Sequence, residues 1–457
     1  MTGSSIVQAP DEFRLLEVSL TAERLPRAIN LTNITIEIDI FESIHSPFLT
    51  GSLIILDDNQ LYNSVKFQGT EKIKVVVSLG EMADPIEKNF VITRVANSYK
   101  TNDYTTVYHF DMVEDIGYLN NIQKISKMYD GTGESIIEKI VRDNIHKPIA
   151  NIDGDYPHQT FRPSFQRLFR LLMPYITPFN ATKLALDKIT TENGLPYYLY
   201  STLVDDNLVL ADLETILERP AFNANNPFVY SQSQSNSAQS QGIQQQSYSI
   251  YNVNQPNIDE TMLLGQLGAI SSDYNVTNIT TGQTQELRIN IDDVITSLQS
   301  RGIIAETDTY PIDRDFIPDP SGTNSQGLLD YVSRSFNEVA GTSYEYSENV
   351  NGYTEDNQEY HLRIRKYIIE QLLLRNSQQI TVPGFWFLTR DPKTSIGNQI
   401  NITIFKNDPD AAETQEIIDA KRSGNFIIAA KRHVFNATEF RHICALDLVR
   451  LSSPEVL

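Results

Sequence analysis

Cysteine is nearly absent from this sequence, since the 457 residues contain only Cys444. One cysteine cannot form a disulfide within the chain, and a zinc site built on cysteines is excluded for the same reason. Long apolar runs are missing too: no stretch approaches ~18 consecutive apolar residues, and the N-terminus has no basic region followed by an apolar core. We therefore expect a chain that folds in a reducing compartment and is neither secreted through a signal peptide nor inserted in a membrane.

Positive charge is also scarce. The chain has 37 basic and 58 acidic residues, a formal net charge of −21. A protein that grips nucleic acid by its phosphates needs clustered lysine and arginine, so this balance argues against such binding, although DNA could pass nearby without being held. At roughly 150 residues per domain, the length suggests about three domains.

Motifs for catalysis and cofactor binding are lacking as well. The sequence has no Gly-x-Ser-x-Gly elbow, no phosphate-binding loop and no His-Glu-x-x-His. His433 and His442 lie on the last two predicted strands, but a metal or general-base site would need a third ligand or a partner nucleophile, so ordinary packing is favoured. We therefore assign no catalytic, cofactor-binding or metal-binding residues, expect no cofactor, and predict that the protein is not an enzyme.

Acidic pairs and one tryptophan were the other candidates for a site. The pairs are Asp57 and Asp58, Asp205 and Asp206, and Asp292 and Asp293. None continues into an EF-hand loop, and adjacency on a turn does not place two carboxyl groups about 5 to 10 Å apart across a cleft, so solvated turns are the favoured interpretation. If residues 380–389 form a strand, Phe385 and Phe387 face one side and Trp386 the other, which indicates core or interface rather than a stacking platform.

Apolar periodicity divides the chain into β and helical parts. Period-2 alternation over residues 13–113, as in Ile34, Ile36, Ile38 and Ile40, predicts five or six strands, which a small antiparallel barrel would close. Helical spacing follows: one helix is capped by Thr132, and a second runs from Thr177-Pro178 to Asn193-Gly194. This predicts a first barrel domain over 1–117 and a helical or mixed domain over 118–196.

Strand patterns return at residues 197–212 and again near the C-terminus, where two runs, 426–435 and 440–451, flank a short turn. The intervening chain is polar, with a Ser/Gln-rich tract from Ser231 and helical stretches near 292–299, 328–338 and 360–375. We expect a second barrel from 197–230 and 376–457, with 231–375 as an insertion. The predicted fold class is α+β, mainly β: two small antiparallel barrels with a helical domain and a long polar insertion.

The order of these segments resembles the baseplate hub proteins of contractile-tailed phages, in particular the T-even-like hub of the central spike complex. The matching segments, in chain order, are FVITRVANSYKTNDYTTVYHFDMVEDIGYLNN, KMYDGTGESIIEKIV, NATKLALDKITTENGLPYYLYSTLVDDNLVLADL and SGNFIIAAKRHVFNATEFRHICALDLVRLS. In the last one, Gly424, Phe426, Ile427, His433 and Phe435 follow the ending familiar in such hubs. The resemblance covers roughly 300 residues, as judged from domain-scale patterns.

The resemblance implies a homotrimeric structural protein of the virion tail baseplate, assembled in the host cytoplasm. Its six barrels would form a pseudo-sixfold ring that joins the hexameric tail tube to the trimeric membrane-piercing spike. The implied partners are a spike protein, which in this family can carry a lysozyme domain, tube or tube-initiator proteins, wedge proteins and the tape measure. DNA would pass through the ring without specific binding. The long insertion departs from the family pattern, so contacts there cannot be carried over.

Two alternatives remain open. A VgrG-type hub of a bacterial contractile injection system has a similar layout, but it usually continues into a spike of its own. A cytosolic carbohydrate-active enzyme with β-domains belongs to a different class. A trimer in solution would favour either hub, whereas a monomer that cleaves polysaccharide would favour the enzyme.

Overall fold

The structure is a computed structural model of the chain. It describes residues 9–58, 61, 65–80, 84–101, 104–150, 161–165, 169–230, 246–254, 261–278, 282, 284–306, 308–309, 327–330, 332, 334–340, 345–347, 358–375, 377–406 and 418–454. Strands predominate over helices in this part of the chain, which agrees with the predicted α+β, mainly β class. Most of the Ser/Gln-rich tract, residues 231–245, lies outside the described residues.

The strands, numbered in chain order, are β1 Arg14–Thr21, β2 Ile29–Asn30, β3 Thr35–Ser43, β4 Thr50–Asp57, β5 Lys72–Ser78, β6 Ile86–Lys100, β7 Thr106–Glu114, β8 Met128–Gly131, β9 Phe169–Leu172, β10 Tyr197–Ser201, β11 Leu208–Asp212, β12 Phe228–Tyr230, β13 Asn252–Asn254, β14 Ser271–Asn278, β15 Thr284–Asn290, β16 Asp308–Thr309, β17 Arg334–Ala340, β18 Glu345–Ser347, β19 Ser377–Pro383, β20 Gln399–Ile404, β21 Gly424–Asn436, β22 Arg441–Val449 and β23 Ser453–Pro454. The α-helices of the described ranges are α1 Asp115–Ile122, α2 Gly133–Asn144, α3 Pro178–Lys188, α4 Leu213–Glu218, α5 Thr261–Leu267, α6 Ile291–Ser300 and α7 Gln358–Arg375. No helix among them is both long and apolar enough to cross a membrane.

Thirteen strands form one continuous sheet. Its order is β13-β19-β22-β21-β3-β4-β7-β6-β5-β1-β2, with β20 added on β21 and β12 on β20. The path is open, from β13 at one edge to β2 at the other, and no closed ring of strands is found among the described residues. An isolated bridge between Glu12 and Arg441 brings the segment before β1 to β22, outside the strand ladders. The prediction of two separate closed barrels is therefore not confirmed.

The long strand β21 explains why the two β regions merge. Its first residues pair with β20, whereas residues 430–436 pair with residues 37–43 of β3, and β22 runs along its other side. The edge that a second barrel would need to close on itself is thus occupied by a strand from the first 50 residues. The two regions share one hydrogen-bonded sheet through this β3–β21 ladder.

The hairpin β10–β11 was expected within the second barrel, but it forms a two-stranded sheet of its own. Every residue of both strands is buried. Tyr198 and Tyr200 face the core of the C-terminal half, while Tyr197 and Leu199 face the helical part. Because both faces of the hairpin are apolar, it can lie between two cores. A strand with one solvent-exposed polar face could not.

The helix predictions are confirmed in part. The side chain of Thr132 accepts a hydrogen bond from the Ser135 amide at the start of α2, and Pro178 occupies the first turn of α3. However, α3 ends at Lys188 and not at Asn193. The helices predicted near 292–299 and 360–375 are present as α6 and α7, whereas the one predicted at 328–338 is wrong. The described residues there form a short 3-10 turn, Leu328–Asp330, and the start of β17, which pairs in parallel with β14.

The buried apolar side chains form three cores. Two of these cores contain residues from both halves of the chain. The core under β1 to β7 includes Leu203, Leu388 and Phe435, all from later segments. In return, Ile44 joins the core formed by the C-terminal strands with α6 and α7. The third core packs α2 and α3 against β10 and β11.

Candidate functional site: a buried polar cluster where the two sheet regions meet

Five polar side chains converge where β3, β21 and β22 lie side by side: Glu42, Lys431, His433, His442 and Cys444. All are at most 2% exposed. Alternation along β21 places Lys431 and His433 on one face, and alternation along β22 places His442 and Cys444 on one face. The β21–β22 register sets His433 directly opposite Cys444, which brings residues of both strands together over the same core.

The cluster is connected by short contacts. His433 Nε2 donates to Glu42 Oε1 at 2.6 Å, and His433 Nδ1 lies 3.0 Å from His442 Nε2. Cys444 Sγ lies 3.5 Å from His433 Nδ1 and 3.4 Å from His442 Nε2. Because the carboxylate fixes the proton on His433 Nε2, the lone pair of His433 Nδ1 points at His442. The rings are nearly parallel, 7° apart.

Charge in this cluster belongs to Glu42 and Lys431. Burial alone would raise the pKa of Glu42, but the charge of Lys431 and the hydrogen bond from His433 outweigh it and lower that pKa to about 2. Burial lowers the pKa of both histidines, so they are neutral, and burial raises the pKa of the Cys444 thiol. Lys431 Nζ lies 3.6 Å from Glu42 Oε1 and donates to the Thr394 carbonyl. The ion pair therefore spans the β3–β21 ladder in a dry environment.

Aromatic rings and one glycine shape the walls. Phe435 stacks on His442 with ring centres 4.2 Å apart, and Phe387 lies under the ammonium of Lys431. A Cβ on Gly384 would fall well inside van der Waals contact with His442 Nδ1. Glycine is therefore required there by the close approach of the imidazole and not by its backbone angle, since φ is −77°.

The structure thus brings together both histidines that the sequence singled out and adds Cys444, which the sequence argument passed over. The position of Cys444 in this cluster could have been predicted from the sequence. His442 and Cys444 are two residues apart on one strand, and counting back across the short turn sets Cys444 opposite His433. The contribution of Glu42 could not be found this way, because it depends on a pairing between segments 391 residues apart.

The acidic pairs do not come together as carboxylate sites. Asp57 is buried and accepts from the Leu61 amide at 2.6 Å, so its interpretation as a solvated turn residue is wrong. Asp206 forms an ion pair with Lys88 at 2.9 Å. Asp293 completes a capping box with Asn290 at the start of α6. Each of these carboxylates therefore holds a turn, a strand or a helix end.

Trp386 lies on a 3-10 turn, Phe385–Leu388, and not on a strand. The predicted alternation of Phe385 and Phe387 against Trp386 is therefore wrong: Phe387 is buried, while the other two are half-buried. The indole Nε1 donates to Ser247 Oγ at 3.0 Å, and the ring packs on Tyr248. Trp386 anchors the segment at 246–254 to the C-terminal half.

A cleft of 1170 Å³ lies between the turn at 43–48, α3 and α7. Its most buried charge is Lys366, whose Nζ donates to the Leu186 carbonyl at 2.7 Å, near the end of α3. Burial lowers the pKa of Lys366 and raises that of its neighbour Glu370. Lys366 thus adds a second hydrogen bond to a carbonyl at a helix C-terminus that also accepts from the Ile189 amide, an arrangement of structural character.

No protein-family model matches the chain, and no curated protein matches it significantly. Among solved structures, it is similar to a tail protein from Neisseria meningitidis, with 11% identity, a TM-score of 0.49 and coverage of 96% of this chain and 97% of the other. A 43 kDa tail protein of a Shewanella oneidensis prophage gives 11% identity and a TM-score of 0.48, with 95% and 98% covered. An E. coli component of the type VI secretion system, described as similar to the T4 tail proteins gp27 and gp5, gives 9% and 0.40, with 96% and 77% covered. Identities and TM-scores this low do not assign a function to this chain.

Proposed function

We propose that the chain is the structural hub of a contractile tail baseplate, a homotrimer whose two β regions per subunit form a pseudo-sixfold ring. The ring would join the hexameric tail tube to the trimeric membrane-piercing spike and let DNA pass. The order of segments in the sequence motivates this proposal. The observation that carries it is the β3–β21 ladder, which joins the two β regions in one sheet.

Rigidity is what such a role requires. A subunit that converts threefold into sixfold symmetry must hold its two β regions at a fixed angle, or the six units of the ring would not be equivalent. A shared ladder, a buried ion pair across it and apolar residues exchanged between the two cores all oppose hinge motion between the regions. Two domains joined by a linker alone would move relative to each other.

The acidic composition has a role in this proposal. With a net charge of −21, carboxylates concentrated on the inner surface of the ring would repel DNA phosphates and keep the genome sliding. A cryo-EM structure of the assembled ring tests this directly, since a neutral or basic bore would contradict it.

Sedimentation equilibrium of the purified chain, with and without a candidate spike protein, tests the assembly. We expect a trimer, alone or on addition of the spike, and averaged images with six similar lobes around a central opening. A VgrG-type hub would also be trimeric, and it is distinguished by the proteins that copurify from the native source. A monomer that hydrolyses polysaccharide would instead support the carbohydrate-active enzyme.

A further inference from the structure

We propose that His433, His442 and Cys444 form a binding site for a thiophilic first-row metal ion. The ligand atoms would be His433 Nδ1, His442 Nε2 and Cys444 Sγ. Within the described part of the chain, these three side chains are the group whose donor atoms lie close enough together to share an ion. The separations between the three donors are 3.0, 3.4 and 3.5 Å.

Those separations match the spacing of three donors around one ion. Three atoms spaced in this way can all lie ~2.0 to 2.3 Å from one point just off their common plane, and these are the usual lengths of metal–imidazole and metal–thiolate bonds. Two of the ligands come from adjacent positions on one face of β22 and the third from the paired strand β21. The hairpin therefore presets the site.

The surroundings of the triad also suit a metal. Ligating histidines commonly donate their second ring nitrogen to a carboxylate, which fixes the tautomer and strengthens the ligand. Glu42 does this for His433, so that His433 Nδ1 is directed at the triad as a lone pair. For His442, Nδ1 lies against the backbone of Gly384, where the missing side chain makes room for the ring when Nε2 is the ligand.

Charge and donor type narrow the choice of ion. Glu42 and Lys431 already cancel each other within the cluster, so an added thiolate is balanced by a single positive charge. Cu⁺ would leave the buried cluster neutral, and Zn²⁺ would leave one excess positive charge. Both ions accept a thiolate with imidazoles, whereas Mg²⁺ and Ca²⁺ require oxygen ligands.

Binding is accompanied by a defined proton change. The sulfur binds as thiolate, so the Cys444 proton is released to solvent, one per ion bound. His442 remains neutral, because its proton moves from Nε2 to Nδ1 when Nε2 becomes a ligand. No oxidation or reduction is involved.

The test uses the full chain, purified without an affinity tag and without chelators, and titrated with Zn²⁺, with Cu⁺ under reducing conditions, and with Co²⁺ as a spectroscopic substitute. We expect one ion per chain by elemental analysis, one proton released per ion, and a near-ultraviolet thiolate-to-Co²⁺ absorption band. Cys444→Ser should abolish the band and weaken binding at least about tenfold. His146→Gln, which removes an exposed histidine outside the cluster, is the matched control and should bind as the parent does.

Either Zn²⁺ or Cu⁺ bound at one equivalent supports the site, and their relative affinities identify the ion. A folded parent chain that binds neither ion, or that gives a Co²⁺ spectrum without the thiolate band, overturns the proposal; the three groups are then only a hydrogen-bonded network. If Cys444→Ser does not fold, the Co²⁺ spectrum of the parent chain decides alone. The result is independent of oligomeric state, so failure here leaves the proposed hub function untouched.

Discussion

Glu42 on β3 accepts a hydrogen bond from His433 on β21 at 2.6 Å, although the two residues are 391 positions apart in the chain. The same carboxylate faces Lys431, so one buried side chain neutralises a charge and orients an imidazole across the ladder that joins the two sheet regions. Buried ion pairs of this kind are costly to break, because removing one partner leaves the other charge in an apolar environment.

Replacement of Glu42 by Gln should therefore destabilise the chain strongly. The Lys431 ammonium would remain buried without its counter-charge, and we expect a loss of about 3 to 5 kcal/mol in the free energy of unfolding. Urea denaturation followed by the fluorescence of Trp386 measures it. Glu439→Gln, which removes an exposed carboxylate in the neighbouring turn, should change stability by less than about 0.5 kcal/mol. Equal changes in the free energy of unfolding for the two variants would show that the buried ion pair does not contribute more to stability than an exposed carboxylate.

Gly384→Ala tests the close approach of His442. The backbone angle permits alanine, so any loss arises from the clash between the new methyl group and the imidazole, and we expect about 3 kcal/mol of destabilisation. Gly265→Ala is the matched control. It lies within α5 with its nearest neighbour at 3.7 Å, and there alanine should be neutral or should stabilise by up to about 1 kcal/mol. A tolerant Gly384 would mean that His442 can rotate away.

Glu71 should make stability depend on pH in the acid range. Its carboxylate accepts from the amides of Gln68 and Gly69 and pairs with Arg24. Burial acts to raise its pKa, but the bond to Arg24 and the backbone amides lower it below the ordinary value of 4.5. A carboxyl group whose pKa is lowered by folding stabilises the protein fully above the unfolded value and loses that contribution as pH falls through the folded one.

We therefore expect Glu71→Gln to lower the free energy of unfolding by about 1 to 3 kcal/mol at neutral pH, with a difference from the parent chain that shrinks steadily below about pH 4.5. Chemical denaturation at a series of pH values gives this profile. Glu87→Gln removes an exposed carboxylate and separates loss of charge from loss of buried contacts. A difference that stayed constant down to pH 3 would contradict the assignment.

Local features of the fold were predictable, and long-range pairings were not. Alternation of Ile36, Ile38 and Ile40 predicts a strand whichever partner it takes, and the cap at Thr132 fixes a helix start by itself. Nothing in the period of β3 indicates that β21 will pair with it. Residues 328–338 read as helix because their apolar spacing is ambiguous over so short a stretch, and pairing with β14 decided the outcome.

The candidate site illustrates the same limit. His433 and His442 could be named from the sequence, and the hairpin register could have added Cys444. Glu42 and Lys431 could not be recognised as an ion pair, because their proximity depends on the β3–β21 ladder. A lone cysteine argues against a zinc site built on cysteines, but the sequence did not show that two histidines of the same hairpin lie beside Cys444, which is the arrangement behind the metal-site proposal.

The predicted domain boundary at residue 117 can be tested with a fragment. If 1–117 were an autonomous barrel, it would fold alone. In the structure, its core includes Leu203, Leu388 and Phe435 from beyond the boundary, and residues 37–43 of β3 pair with β21. The isolated fragment would lack these apolar side chains and would expose one edge of β3, which favours aggregation. We expect fragment 1–117 to be insoluble or to give poorly dispersed amide NMR signals, and coexpression with 118–457 to recover a soluble complex. A monomeric fragment with a dispersed spectrum would show that the first β region is independent and that the shared ladder forms only after both regions have folded.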